Sequence, residues 1–135
     1  RLITDGDVAG VIFTAQAETT GVDMYMGTGG APEGVLAAGA LRCVGGQMQG
    51  RLILDTEAKR ERALKMGIKD PNKKYSMTEL ASGDVIVCAT GVTDGALLKG
   101  VKFGKDIIET ETLIYRSVTG TVRRIQAEHR EFSKF

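Results

Sequence analysis

The sequence contains a single histidine, His129, and two cysteines, Cys43 and Cys88, among its 135 residues. With one histidine, close to the carboxyl end, a Ser-His-Asp or Cys-His mechanism within this chain is nearly excluded. Three Cys and His residues that match no known ligand spacing also argue against zinc. Because both cysteines lie in apolar runs, we expect buried free thiols rather than a disulfide.

Long apolar runs and a charge excess are also lacking. No run approaches the roughly 18 residues of a membrane-spanning helix, and no signal peptide is visible. Lysine and arginine nearly balance aspartate and glutamate, for a net charge of +1, so we expect no membrane and no nucleic-acid partner. The length suits one domain over residues 1–135. Because the chain starts without methionine, on what reads as a strand end over 1–4, we interpret it as a fragment.

Glycine, by contrast, is abundant, and the segment Gly27–Gly34 reads Gly-Thr-Gly-Gly-Ala-Pro-Glu-Gly. A predicted strand over 22–26 precedes it and a predicted helix over 32–44 follows, with Pro32 suited to the first helical turn. The free N–H groups of such a helix start bind phosphate in many folds. Glu33 would compete with an anion unless a cation lies between them. The alternative is that Glu33 only complements the helix dipole.

The remaining pattern predicts a layered α/β fold, with a mostly covered sheet flanked by helices and a terminal antiparallel hairpin. Other helices are expected over 7–18, capped by an aspartate, over 56–66 as a solvated outer helix, and for one turn after a capping box at Ser76 and Glu79. Other strands are expected over 49–54, 84–92 and 101–103, and the hairpin over 109–116 and 121–127. Residues 68–75 are predicted to be a loop and 129–135 to be frayed. The apolar run Val85–Ala89 is typical of a strand covered on both faces.

Three polar clusters fall at predicted strand ends, where α/β sheets bind ligands: Asp5-Gly6-Asp7, Gly27–Gly34 and Thr90–Gly95. Asp5 and Asp7 could accept hydrogen bonds from sugar hydroxyls or hold a metal; alternatively, one caps a helix and the other is solvated. Thr90–Gly95 could equally be a plain turn. Because no P-loop or dinucleotide fingerprint occurs, a hard cation on carboxylates, Mg²⁺ or Mn²⁺, is the chemistry that remains.

Four segments, in this order, resemble the class II fructose-1,6-bisphosphatases: Asp5–Ala9, Met26–Ala38, Leu41–Gln49 and Ala89–Gly95. The string Gly-Gly-Ala-Pro-Glu-Gly is the most specific of them. The resemblance covers nearly the whole chain. It implies a sugar-phosphatase fold shared with the lithium-sensitive phosphatases, in a cytoplasmic enzyme. The implied reaction is hydrolysis of the 1-phosphate of fructose 1,6-bisphosphate in gluconeogenesis, with Mn²⁺ or Mg²⁺.

The resemblance also implies roles for individual residues. Asp5, Gly6, Asp7 and Gly30 match substrate-contacting positions, and Glu33 matches a metal ligand. The family's other metal carboxylates, its water-activating threonine and a basic substrate-binding segment lie N-terminal to this chain. We therefore expect the C-terminal part of a two-domain phosphatase, with no catalytic residue of its own and no activity without the N-terminal half.

Three alternatives remain open at this point. The parent enzyme could also hydrolyse sedoheptulose 1,7-bisphosphate, or the chain could be a sugar-phosphate-binding module or a structural module without catalysis. A truncated sheet would expose apolar surface, so we also expect self-association and a homo-oligomeric parent.

Overall fold

The computed structural model describes residues 2–3 and 6–131. The helices are α1 (Asp7–Thr14), α2 (Ala17–Thr20), α3 (Ala31–Val44), α4 (Glu57–Lys65) and α5 (Met77–Leu80). The strands are β1 (Gln49–Gly50), β2 (Tyr75–Ser76), β3 (Ile86–Thr90), β4 (Lys102–Phe103), β5 (Ile108–Arg116) and β6 (Thr121–His129). In this part of the chain, no helix has the length and apolar character to cross a lipid bilayer.

The main sheet consists of four antiparallel strands with β5 between the others. On one side β5 pairs with β6 along its whole length, so the predicted terminal hairpin is confirmed. On the other side β5 pairs with β4 and then with β3, where Thr112 lies opposite Thr90. A second, two-stranded antiparallel sheet is formed by β1 and β2. The prediction of a mixed α/β fold with helices against a sheet is therefore confirmed.

One face of the main sheet forms the core together with α1 and α3. The core consists of Ile12, Ala40, Cys43, Leu98, Leu113 and Tyr115, with Val85, Val87 and Ala89 among the residues packed against it. Gly39 allows α3 to lie close to the sheet, because a Cβ there would stand 3.3 Å from a methyl carbon of Val85. The small residues of α3 thus position its amino end relative to the sheet.

The helices predicted over 32–44 and 56–66 are confirmed as α3 and α4. The first ends where Gly45 takes a left-handed conformation with φ 86°. The second begins after Thr56, whose hydroxyl accepts a hydrogen bond from the Lys59 N–H at 3.3 Å. Ala63 is its only buried residue, as expected of a solvated outer helix. The predicted capping box of Ser76 and Glu79 is also confirmed, at the start of α5.

The helix predicted over 7–18 is interrupted, and its cap is not an aspartate. Gly6 is the N-cap and makes no side-chain cap bond, while Asp7 is the first helical residue. α1 ends at Thr14, whose hydroxyl donates to the carbonyl of Val11 at 2.7 Å. The separate turn α2 ends at Gly21, which has φ 65°. The helix thus breaks after Thr14, whose hydroxyl bonds to the backbone of its own helix, and the second turn ends at a left-handed glycine beyond the predicted end at residue 18.

The strand predicted over 22–26 is wrong, and the strand predicted over 49–54 is confirmed only at its first two residues. Residues 22–26 have no regular secondary structure, and only Gln49–Gly50 is extended and paired. Its partner is Tyr75–Ser76, at the end of the predicted loop over 68–75. A strand needs a partner backbone, which local composition does not reveal. Of the three polar clusters, Thr90–Gly95 follows an observed strand and Gly27–Gly34 does not, while the residues directly before Gly6 lie outside the described part of the chain.

Within residues 2–3 and 6–131, one face of the main sheet is covered and the other is largely exposed. Along β3, exposed and half-buried residues alternate: Ile86 is 63% exposed, and Cys88 is exposed as well. Both cysteines are free, as predicted, but only Cys43 is buried. The apolar run of β3 does not reveal whether the same chain covers its second face, which is why the expectation for Cys88 is wrong.

The end of the chain is more ordered than predicted as far as it is described. His129 is the last residue of β6, and its Nε2 lies 3.0 Å from Oγ1 of Thr110 on β5. The predicted fraying is therefore wrong at His129, because strand pairing continues to it. Residues 132–135 lie outside the described part of the chain.

Candidate functional site

The amino end of α1 carries two of the residues that the sequence singled out. Gly6 has φ 76° and ψ 35°, a left-handed conformation that costs a residue with a side chain about 1–2 kcal/mol. This explains the glycine in Asp-Gly-Asp. The carboxylate of Asp7, in the first turn, lies at the positive end of the helix dipole. Asp5 lies outside the described residues.

The amino end of α3 carries two further residues that the sequence singled out, Gly30 and Glu33. Gly30 is the N-cap, with Pro32 and Glu33 in the first turn, and the Gly34 N–H donates to the Gly30 carbonyl at 3.1 Å. The Glu33 side chain folds back over Gly30, because a Cβ on Gly30 would collide with Oε2 of Glu33. Glu33 is exposed, and none of the described residues donates a hydrogen bond to its carboxylate.

The glycine segment brings the two helix ends together. A Cβ placed on Gly29 would stand 2.9 Å from Oδ2 of Asp7, so the Asp7 carboxylate lies directly against the backbone of that residue. The carboxylates of Asp7 and Glu33 therefore lie beside two successive glycines, Gly29 and Gly30. The structure thus places Gly6, Asp7, Gly30 and Glu33 at one surface, which is where the sequence predicted a site.

Tyr25 is a residue of this surface that sequence reasoning missed. Its hydroxyl donates a hydrogen bond to Oδ1 of Asp7 at 3.0 Å. A Cβ on Gly27 or on Gly10 would come within about 3 Å of the Tyr25 side chain, so both glycines lie close against it. The hydrogen bond to Asp7 and partial burial raise the pKa of Tyr25. The available signal was that Tyr25 is the only aromatic residue between Phe13 and the glycine segment.

The donor set of this surface fits part of a site for a hard divalent cation. Mg²⁺ and Mn²⁺ prefer carboxylate oxygens, and Glu33 offers exposed ones. Among the described residues, no group of three or more His, Cys, Asp or Glu side chains gathers as a complete metal site. Glu33, with Asp7 across the glycines, can therefore supply only some of the ligands that such a cation needs.

The third polar cluster, Thr90–Gly95, is part of a closely packed loop. A Cβ on Gly91 would collide with the carbonyl oxygen of Lys99, and one on Gly100 would come within 2.6 Å of the Thr93 backbone. Oδ1 of Asp94 accepts a hydrogen bond from the Gly100 N–H at 2.9 Å. These contacts account for the glycines and the aspartate through packing, in agreement with the interpretation as a turn.

Comparison with known proteins places the chain among sugar phosphatases. Residues 1–129 match the sequence profile of the family described as bacterial fructose-1,6-bisphosphatase, glpX-encoded. A protein of Synechococcus sp. (strain JA-3-3Ab) named D-fructose 1,6-bisphosphatase class 2/sedoheptulose 1,7-bisphosphatase is 43% identical over 96% of the chain. Proteins with the same name from Synechocystis sp. and Gloeobacter violaceus are 40% and 42% identical over the same share.

These relatives are much longer than the matched segment. The chain spans 41% of the length of the Synechococcus protein and the same share of the other two. More than half of each relative therefore has no counterpart in this chain.

Proposed function

The chain belongs to the family of bacterial, glpX-encoded fructose-1,6-bisphosphatases, and we propose that it forms one wall of the active site of such an enzyme. The reaction is hydrolysis of the 1-phosphate of fructose 1,6-bisphosphate to fructose 6-phosphate, as a step of gluconeogenesis. The observation that best supports this proposal is the placement of the Asp7 and Glu33 carboxylates beside Gly29 and Gly30, where two helices begin.

The sugar is bound by the amino end of α1. Carboxylates accept hydrogen bonds from hydroxyl groups, so Asp5 and Asp7 orient the substrate while Gly6 lets the backbone turn between them. Tyr25 holds one oxygen of Asp7. Gly30 offers its backbone to the substrate beside the Glu33 carboxylate. The N–H groups at the starts of α1 and α3 favour the negative charge of phosphate.

Glu33 holds the divalent cation, Mn²⁺ or Mg²⁺. When bound, such a cation neutralises phosphate charge and lowers the pKa of a bound water. The contribution of this chain is to keep the Glu33 carboxylate at the helix start, where the absence of a Cβ on Gly30 leaves room for it. A carboxylate to which none of the described residues donates a hydrogen bond is suited to that role, because no bond to them has to break.

The remaining ligands come from the portion of the enzyme that this chain does not span. Because those ligands are missing, the isolated chain is inactive. The complete enzyme is a larger, two-domain cytoplasmic protein. Its sheet and helices form the layered fold of the lithium-sensitive phosphatases, and it is a homo-oligomer.

A second substrate has support from the relatives. Their names include sedoheptulose 1,7-bisphosphatase, and a seven-carbon sugar offers Asp5 and Asp7 the same kind of hydroxyl groups. A non-catalytic sugar-phosphate-binding module, or a purely structural one, is the remaining alternative, supported by the incomplete set of metal ligands.

The test uses a chimera in which this chain replaces the matched segment of the Synechococcus sp. protein. With Mn²⁺ and fructose 1,6-bisphosphate, the chimera should release phosphate and the isolated chain should not. Sedoheptulose 1,7-bisphosphate is tested in parallel. A folded chimera that binds fructose 1,6-bisphosphate without turnover would indicate the binding module instead. Rapid turnover by the isolated chain would show that no essential ligand is missing.

A further inference from the structure

Within the described part of the chain, the face of the main sheet that points away from α3 is uncovered except at its far end, where Ile108, paired with His129, is buried. Directly opposite residues of antiparallel strands share a face, so the register of the sheet defines this surface. It carries Ile86, Cys88 and Thr90 of β3, Thr110, Thr112, Ile114 and Arg116 of β5, and Thr121, Arg123, Ile125 and Ala127 of β6. We call these residues the open face.

The open face mixes apolar side chains with threonines and carries two positive charges. Ile86 is 63% exposed and Ile125 is 41% exposed, and the exposed thiol of Cys88 lies on β3 opposite Ile114. Its charged residues are Arg116 and Arg123, with no Asp or Glu. Within the described part of the chain, neither arginine makes a salt bridge. This composition suits contact with apolar groups and carboxylates.

The sequence of β3 indicates that something covers this face. Val85–Ala89 is a continuous apolar run, the pattern of a strand buried on both sides. In this chain the run is buried on one side only. Since more than half of each relative has no counterpart here, the family's chain has ample length to supply the missing layer.

We propose that the open face docks the portion of a class 2 bisphosphatase chain that lies outside the matched segment. That portion presents apolar side chains to Ile86, Cys88 and Ile125, and carboxylates to Arg116 and Arg123. A second copy of this chain is a poorer occupant. A two-fold contact would bring the same patch of each copy together, so the interface would collect the arginines of both copies with no carboxylate on either patch to balance them, and like charges oppose association. The inference rests on family membership, not on the proposed reaction.

Cys88 provides a direct probe of the open face, and Cys43 is an internal control. Both thiols are labelled with iodoacetamide, and each peptide is followed by mass spectrometry. In the isolated chain Cys88 should react readily, while Cys43, buried on the other face, should react slowly. In the chimera, labelling of Cys88 should slow by about tenfold or more, because the covered thiol reacts only after local opening. Labelling of Cys43 should change little.

Two labelling results would overturn the proposal. The first is a chimera that unfolds cooperatively yet labels at Cys88 as fast as the isolated chain does. The second is protection of Cys88 in the isolated chain that grows with protein concentration, which would identify a second copy as the occupant. Labelling needs no turnover, so an inactive chimera with a protected Cys88 would refute the proposed reaction and leave the docking surface intact.

A substitution pair extends the test. Ile86→Lys places a positive charge opposite Arg116, so it should lower the melting temperature of the isolated chain by a few degrees at most, and it should lower that of the chimera by clearly more. Ile53→Lys, at a residue 52% exposed outside the open face, should affect neither protein. Equal losses for Ile86→Lys in the isolated chain and in the chimera, or no loss in the chimera, would contradict the proposal.

If the chimera does not unfold cooperatively, the chain and the rest of the Synechococcus protein are co-expressed as separate polypeptides, with a tag on the chain. The two should co-purify, Ile86→Lys should abolish co-purification, and Ile53→Lys should retain it. Absence of co-purification with the unsubstituted chain would overturn the proposal.

Discussion

The hydroxyl of Tyr25 donates a hydrogen bond to Oδ1 of Asp7 at 3.0 Å, which ties the segment before the glycine loop to the first turn of α1. The other oxygen of Asp7 lies against Gly29. The aspartate is therefore fixed on one side and presented to the glycines on the other. A tyrosine hydroxyl is protonated throughout the neutral range, and the raised pKa of Tyr25 keeps it a donor to higher pH still.

Tyr25→Phe tests this arrangement in the chimera. The substitution keeps the ring against Gly27 and Gly10 and removes only the donor, so Asp7 loses its fixed orientation. We expect KM for fructose 1,6-bisphosphate to rise about fivefold, the scale of one hydrogen bond, with a smaller change in kcat. Tyr75→Phe, at a tyrosine beneath the ammonium group of Lys73, is the matched control and should change neither. An unaltered KM for Tyr25→Phe would remove Tyr25 from the site.

Gly30→Ala and Gly34→Ala test the space around Glu33. An added methyl group at Gly30 collides with the Glu33 carboxylate, whereas one at Gly34 meets nothing within 4 Å. We expect Gly30→Ala to weaken Mn²⁺ binding to the chimera about tenfold and to leave the melting temperature nearly unchanged, since the flexible carboxylate moves aside. Gly34→Ala should bind Mn²⁺ normally and gain roughly 0.5–1 kcal/mol in free energy of unfolding. Isothermal titration and thermal melting measure both. Equal Mn²⁺ affinities in the two variants would show that the position of Glu33 is immaterial.

Glu111 is a buried carboxylate that closes the loop after β3. It accepts hydrogen bonds from the Lys99 N–H and from the Arg124 guanidinium, both at 2.6 Å, and its side chain is 9% exposed. The hydrogen bond from Lys99, followed by that from Arg124, lowers the pKa of Glu111.

Glu111→Gln should therefore lower the melting temperature of the isolated chain by about 5 °C, because an amide offers one acceptor oxygen to two donors and places its own N–H groups among them. Glu109→Gln, two residues away at an exposed position opposite Lys102, should melt within a degree or so of the original. If both variants melt alike, the Glu111 contacts do not contribute to stability.

Glu79 should give the chain an acid-sensitive contribution to stability. Hydrogen bonds from Lys73, at 2.8 Å, and from Ser76 lower the pKa of Glu79 from 4.5 to about 2. The folded state thus holds this proton less tightly than the unfolded state does. The contribution is complete above about pH 4.5 and is lost as the pH falls towards 2.

The measurement is the free energy of unfolding against pH for the original chain and for Glu79→Gln, with the carboxyl titration followed by NMR. The difference between the two proteins should shrink between pH 4.5 and 2. A Glu79 carboxyl that titrates near 4.5 would refute the assignment.

The sequence predicted best those elements whose signals are local. The small residues and flanking glycines of α3, the Thr56 cap of α4 and the reciprocal cap of Ser76 and Glu79 are all determined within a few residues. The family resemblance also implied that Asp7 and Glu33 serve one site, and the structure brings both carboxylates against the glycine segment.

The predictions that were wrong concern features that depend on contacts between residues far apart in the sequence. Residues 22–26 have a strand-like composition but no strand to pair with, and only two residues of 49–54 find one. Cys88 lies in an apolar run whose second face is uncovered in this chain. Tyr25 was missed because its contact with Asp7 spans 18 positions of sequence, a distance over which periodicity carries no information.

Replacement of Glu33 by alanine in the chimera tests most directly whether Glu33 holds the divalent cation. Phosphate release from fructose 1,6-bisphosphate with saturating Mn²⁺ is compared with that of the original chimera, alongside thermal melting and Mn²⁺ titration. We expect Glu33→Ala to abolish most of the phosphate release and to weaken Mn²⁺ binding. The melting temperature should stay the same, since Glu33 is exposed. Near-normal phosphate release by a normally folded Glu33→Ala chimera would contradict the claim that this helix start holds the metal.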